Sequence, residues 1–307
     1  MDKLVLKTNQ KLLSLFIHSA HPWNLVIGIT TYILGAGIVD YFGMPIDHNS
    51  FGVGLAWVEM VLVSCNFLKT YFDYHEEVQE IPDEDDNEIK IPIIRIRRAF
   101  LQASVTTMTI TAVLSVLLFN RKSFSPAALL ILGLIFLLAF FYAVPPTRLV
   151  YRGYGELSEA IILANLIPAF AYLLQTGELH SVLAKLTFPL TALCLAGILS
   201  IKMPDLNNDL KLGRNTFNVR LGCQNSINIH NLLILIGYLL LAGNLIQGLP
   251  WSLTWPGLLT FPLGLFQIRQ LIRITRGEKP RWTLMKLNSY ALILLTAYFL
   301  AFSLWTA

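Results

Sequence analysis

The sequence predicts an all-α, polytopic membrane protein: a bundle of nine transmembrane helices around a central cavity, in one domain over residues 1–307. Three observations predict it. The chain is 55% hydrophobic and only 14% charged, with mean hydropathy +0.59, where a soluble domain carries about 25% charge. Nine apolar runs approach the length that a bilayer core demands of a helix. Threading the chain back and forth through these runs collects 20 of its 23 Lys and Arg residues on one side, leaving Arg121, Lys122 and Lys185 on the other. The basic side is expected in the cytoplasm. The N-terminus then lies there, and nine spans put the C-terminus on the opposite side.

The runs are 23–42, 52–74, 99–119, 126–145, 156–175, 184–202, 229–247, 251–268 and 287–306. The first is of spanning length, so no cleavable signal peptide is expected. Ahead of it, residues 9–21 set Leu12, Leu13, Leu15, Phe16 and Ile17 beside Lys11 and His18. That pattern fits an interfacial amphipathic helix or a plain lead-in to the first span.

The second run carries Glu59, Asn66 and Lys69. Charge at membrane depth is costly and faces a cavity or a partner. Lys69, Asp73 and Glu77 follow at i, i+4 and i+8, with Asn66 one turn earlier, so all four share a helical face. They read either as a snorkelling helix end with a Lys69–Asp73 pair or as a face for a cation and phosphate. The acidic stretch after it, Glu76 to Glu88, reads as a solvated loop or a lid, and Arg95-Ile96-Arg97-Arg98 as an interfacial anchor.

After the fourth run, Pro145 and Pro146 stop the helix and Gly153 and Gly155 permit a tight turn. Arg148 and Arg152 then lie on the basic side. Between the sixth and seventh runs, Asp205 and Asp209 stand four apart among Lys202, Lys211, Arg214 and Arg220. In a helix the two carboxylates share a face. Such a pair suits Mg2+, a hard cation that bridges to substrate phosphates, and the basic groups would complete a diphosphate clamp. The plainer reading is a polar loop. Residues 269–286 are basic and contain Trp282, which suits anchoring to anionic membrane lipids. No soluble basic domain exists to bind nucleic acid. Cys65, Cys194 and Cys223 lack metal-ligand spacing, and no phosphate-binding glycine loop, nucleophile elbow or HExxH helix occurs.

Asp205-Leu206-Asn207-Asn208-Asp209, then Gly213-Arg214-Asn215-Thr216-Phe217-Asn218-Val219-Arg220-Leu221-Gly222, resembles the second Asp-rich motif of the UbiA superfamily of intramembrane prenyltransferases. There DxxxD precedes G-[KR]-x-T-x-x-V-R-L-G. Pro145-Pro146-Thr147-Arg148 is similar to the family's loop after its fourth span. Tyr151-Arg152-Gly153-Tyr154-Gly155-Glu156 resembles the YxGLGE segment of the 1,4-dihydroxy-2-naphthoate (menaquinone-type) branch, and Tyr71-Phe72-Asp73-Tyr74 that branch's NDYFDY. His21-Pro22-Trp23 resembles the opening RPW. The chain departs at the first motif, NDxxDxxxD: Lys69 stands at its Asn, Thr70 at the adjoining Asp and Glu77 at the last Asp, while Asp73 is retained.

The resemblance implies Mg2+-dependent transfer of a prenyl group from a prenyl diphosphate to an aromatic, quinone-precursor-like or other lipophilic acceptor. It implies metal ligation by Asp73, Glu77, Asp205 and Asp209. Asn66, Lys69, Arg152, Lys202, Lys211 and Arg214 would bind substrate, and Asp73, Asp205, Asp209 and Arg148 would carry the chemistry. The altered first motif leaves an alternative open: a descendant that binds isoprenoid lipid without catalysis, or a cyclase-like variant. A transporter would use paired charges within spans and inverted repeats. The spans offer Glu59 and Glu159, with no clear repeat.

Overall fold

The computed structural model describes residues 13–76, 93–120 and 125–307. Glu77, most of the acidic stretch after it, Arg121 and Lys122 lie outside the described residues. Every regular element among those described is helical. A short helix α1 over residues 13–19 leads into α2 (Pro22–Tyr41), α3 (His48–Glu76), α4 (Ile93–Phe119) and α5 (Pro126–Ala143). A loop then enters α6 (Gly155–Ile161), which runs through a π-turn (Ile162–Leu166) into α7 (Ile167–Thr176). There follow α8 (Ser181–Lys202), the short α9 (Leu206–Lys211), α10 (Phe217–Gly243), α11 (Trp251–Leu258), α12 (Phe261–Thr275) and α13 (Trp282–Trp305).

Among the described residues, eight helical segments are long and apolar enough to cross a membrane unbroken. The eighth expected span, 251–268, is instead split between α11 and α12, with Leu259 and Thr260 between them. Pro256 and Pro262 flank the break, and neither offers an N–H to an unbroken ladder. Thr260 satisfies the opened backbone: its hydroxyl lies 2.8 Å from the Gly257 carbonyl, 3.0 Å from the Tyr238 hydroxyl and 2.8 Å from that of Thr296. Broken helices at membrane depth persist where such partners are supplied.

The π-turn and α7 form the centre of the bundle. Ile167 to Leu174 are all buried, as expected of a helix apolar on every side. α2 crosses α7 at Gly35, where a Cβ would lie 2.2 Å from the Pro168 carbonyl oxygen. Outward, α4 exposes Val105, Val113 and Val116, and α5 exposes Leu129 and Leu130. Those are lipid-facing surfaces in an integral, multi-pass membrane protein. The end of α3, the 144–154 loop, the end of α8, α9 and the start of α13 gather at one end of the bundle and surround a cavity.

Candidate active site

α8 ends where Pro204 follows it, and a 3-10 turn (Met203–Asp205) carries the chain into α9. The turn leaves Asp205 exposed and Asp209 buried. The Thr216 hydroxyl donates to Asp209 Oδ2 at 3.2 Å, and Arg214 Nη1 lies 3.9 Å from Oδ1. Lys286, at the start of α13, approaches Asp205 to 4.0 Å. Asp205, Asn208 and Asp209 all face the cavity.

The first motif is organised differently. Arg148 Nη2 donates to Asp73 Oδ1 at 2.6 Å, and the Tyr151 hydroxyl donates to the same oxygen at 2.8 Å. Lys69 Nζ stands 3.8 Å from Oδ2. Arg148 reaches Asp73 from a left-handed backbone, φ 39°, at the entry to the 3-10 turn Leu149–Tyr151. Non-glycine residues held there mark a site that the surrounding structure enforces. Arg148 and Arg214 both lie over the Tyr151 ring, at 4.7 and 4.5 Å. One aromatic residue therefore joins the cation on Asp73 to the cation on Asp209. Burial, and Asp73 after it, push the Tyr151 phenol above its ordinary pKa, so its hydroxyl stays a donor.

Two hydrogen bonds from backbone N–H groups hold the 144–154 loop and the start of α6 against the second motif. Asn215 N donates to the Tyr151 carbonyl at 3.2 Å, and Phe217 N, opening α10, donates to Glu156 Oε2 at 3.3 Å. A fully buried carboxylate there meets the positive end of the α10 dipole. Gly153, φ 76°, makes the turn that brings Tyr151 and Glu156 round together.

The cavity holds about 480 Å3. Lys69, Asn66, Lys202, Arg214 and Tyr151 share its wall with the three polar residues of the second motif, and His18, His21 and Tyr290 complete it. Asn24, Asn66, Tyr142 and Glu159 also border a smaller pocket lined by Leu62, Cys65, Ala139, Ile162 and Leu163. The wall thus passes from charged to apolar at Glu159. Its carboxylate accepts from Lys202 Nζ at 2.7 Å, Asn24 Nδ2 at 2.7 Å and the Tyr142 hydroxyl at 3.4 Å. His21 stands at the left-handed entry to α2, φ 51°. Burial, then the ammonium of Lys69, lower its pKa to about 4, so the imidazole is neutral at pH 7.

The cavity therefore gathers Asn66, Lys69, Lys202, Asp205, Asp209 and Arg214, and the paired Asp73 and Arg148 sit behind its wall, against Lys69 and Tyr151. Lys202, expected on phosphate, is paired with Glu159. Arg152 and Lys211 are exposed and are not among the residues lining the cavity. Tyr151, Glu159 and Tyr142 are site residues that the sequence does not single out as such, although Tyr151 opens the YxGLGE-like segment and Glu159 is a carboxylate within a span.

Asp205 and Asp209, with the Asn208 amide, offer hard oxygen donors to the cavity and fit Mg2+, which takes one or two carboxylates and completes its shell with water and phosphate. Asp73 fits a metal poorly, since one of its oxygens is shared by a guanidinium and a phenol and the other faces an ammonium. Among the described residues no three His, Cys, Asp or Glu side chains converge as a metal site.

A helical membrane bundle with carboxylates and cations around one cavity, opening onto an apolar wall, defines an intramembrane enzyme for an amphiphilic, phosphorylated substrate. The chain belongs to the UbiA prenyltransferase family, whose sequence model matches residues 24–290. It is 20% identical over 232 residues to the 1,4-dihydroxy-2-naphthoate octaprenyltransferase of Bacillus subtilis (strain 168), covering 75% of this chain and 74% of that one. A UbiA homolog from Archaeoglobus fulgidus, bound to GPP and Mg2+, superposes with TM-score 0.65 at 15% identity, over 95% of this chain and 99% of that one. The apo UbiA homolog from Aeropyrum pernix K1 gives TM-score 0.60 at 13% identity, over 91% and 96%.

Proposed function

We propose that this chain, acting as one domain, transfers a prenyl group from a prenyl diphosphate to an aromatic, quinone-precursor-like acceptor within the bilayer. The observation that carries the reading is the cavity wall itself, which passes from the Asp205–Asp209 pair and its cations to the apolar pocket beyond Glu159. The solved relative bound to GPP and Mg2+ supports a diphosphate at the charged end. The naphthoate-prenylating relative supports an aromatic acceptor.

Asp205 and Asp209, assisted by Asn208, would hold Mg2+; bound there, the ion offsets charge on the leaving diphosphate. Lys69 and Arg214 provide fixed positive charge on the same wall. Arg148, held on Asp73, adds its charge from behind Lys69 and Tyr151. The allylic C–O bond breaks with its electron pair leaving on the diphosphate. The acceptor carbon then bonds to the allylic carbon and gives up its proton. The apolar lining keeps water from the cation. The excess of Lys and Arg at the site end of the bundle supports a cytoplasmic N-terminus and site, with the C-terminus opposite.

Incubation of purified protein with labelled prenyl diphosphates and a naphthoate acceptor, with and without Mg2+, tests the reading. A Mg2+-dependent prenylated acceptor is the expected product. The commitment of Asp73 to Arg148, Lys69 and Tyr151 favours a second reading, an isoprenoid-binding or cyclase-like member. Tight prenyl diphosphate binding without transfer, or diphosphate release without an acceptor product, would establish that reading instead.

A further inference from the structure

A second cavity, of about 440 Å3, lies away from the active site between the end of α12 and the start of α13. Its lining is mixed. Phe266, Ile274, Leu284 and Met285 give it apolar surface, with Phe266 and Leu284 exposed. Arg273, Lys279 and Arg281 give it positive charge. Arg269 and Arg276 line an adjoining hollow that shares Arg273 and Glu278. Five cations thus surround a single carboxylate, and Glu278 engages only Arg273, at 3.7 Å. Gln270 also lines the cavity, with its Oε1 enclosed rather than open to the space.

We propose that this groove binds an anionic glycerophospholipid. The position suits a lipid, because the groove sits at the N-terminal end of a spanning helix, where headgroup and acyl chain meet. Lys279 and Arg281 take the phosphodiester, and the apolar side chains take the upper acyl chain. Met285, on the groove wall, packs with Met203, which opens the turn bearing Asp205. The groove is therefore linked, through this buried cluster, to the turn that carries Asp205.

The test uses the full chain, delipidated in detergent and given equal amounts of phosphatidylglycerol, phosphatidic acid and phosphatidylcholine, with retained lipid read by native mass spectrometry. Phosphatidylglycerol retained about ten-fold over phosphatidylcholine is expected. Lys279→Gln with Arg281→Gln should erase that preference, while the charge-conserving Lys279→Arg with Arg281→Lys keeps it. Equal retention of the charged and neutral lipids by the parent would overturn the proposal. So would a preference that survives the double Gln variant, or displacement of the lipid by soluble inorganic phosphate at millimolar concentration. None of these readouts depends on prenyl transfer.

Discussion

Tyr151 touches both halves of the site, through its hydroxyl on Asp73 and its ring beneath Arg148 and Arg214. Tyr151→Phe keeps the ring and removes one hydrogen bond. A net loss of about 1 kcal/mol should weaken diphosphate binding about five-fold by calorimetry, and Tyr151→Ala, which also frees both guanidinium groups, should cost distinctly more. Lys69 allows a sharper experiment. If its ammonium stands in for an ion at the first motif, Lys69→Asn with Thr70→Asp should demand more Mg2+ for the same diphosphate release. A parent inactive at every Mg2+ level beside an active double variant would mean that Lys69 only blocks. His21 predicts a pH effect. Its pKa falls to about 4 in the folded chain, against about 6.5 for an exposed imidazole. The unfolded chain therefore binds the extra proton between those values, and stability drops as pH falls through that window. His18, Lys69, Glu159 and Lys202 all act on this ring. His21→Gln should flatten the slope of melting temperature between pH 6.5 and 4; an unchanged slope would assign it to the carboxylates. The carboxylates of the second motif were legible because their spacing is itself the signal. Tyr151 and Glu159 were not, since each acquires its role from a partner on another span.

At the scale of elements, the spans were legible from hydropathy alone, because a bilayer imposes length and apolarity on each one separately. The break between α11 and α12 was harder to see. Its apolar run is continuous, and the turn is held by its own backbone bonds together with the hydroxyls of Thr260, Tyr238 and Thr296. Helix crossings are likewise invisible in one dimension. Gly35 permits α2 and α7 to touch, whereas Gly52 in α3 has nothing within 4 Å of a built Cβ. Gly35→Val should therefore lower the melting temperature in detergent by many degrees. Gly52→Ala should leave it unchanged or raise it slightly, since alanine is the better helix former by about 1 kcal/mol. Equal effects at the two positions would show that the α2–α7 contact is loose.

For the whole molecule, the charge partition predicts sidedness, and a native thiol reports it. Cys223 is exposed beside the kink at Gly222, while Cys65 and Cys194 are buried. In intact cells an impermeant maleimide should label Cys223 only after permeabilisation. With Cys223 replaced by Ser, Ile246→Cys, at a 92% exposed position in the α10–α11 turn, should label from outside. Labelling of both thiols without permeabilisation would refute the partition. The overall bundle was legible because family motifs fall in order along nearly the whole chain, but the arrangement of cations around Asp73 required three dimensions.

The Glu159–Lys202 pair also bears on how the chain is made. Glu159 stands in α6 and Lys202 at the end of α8, so synthesis delivers the carboxylate one full span before its ammonium. Asn24, in the first span, is already present but brings no charge. A lone carboxylate in hydrocarbon is poorly tolerated, which favours the fifth and sixth spans entering the bilayer as a hairpin rather than in turn. Biogenesis would then hold the newborn fifth span in a protected, water-accessible place until its successor arrives, and a chain cut between them would present an exposed intramembrane charge to quality control.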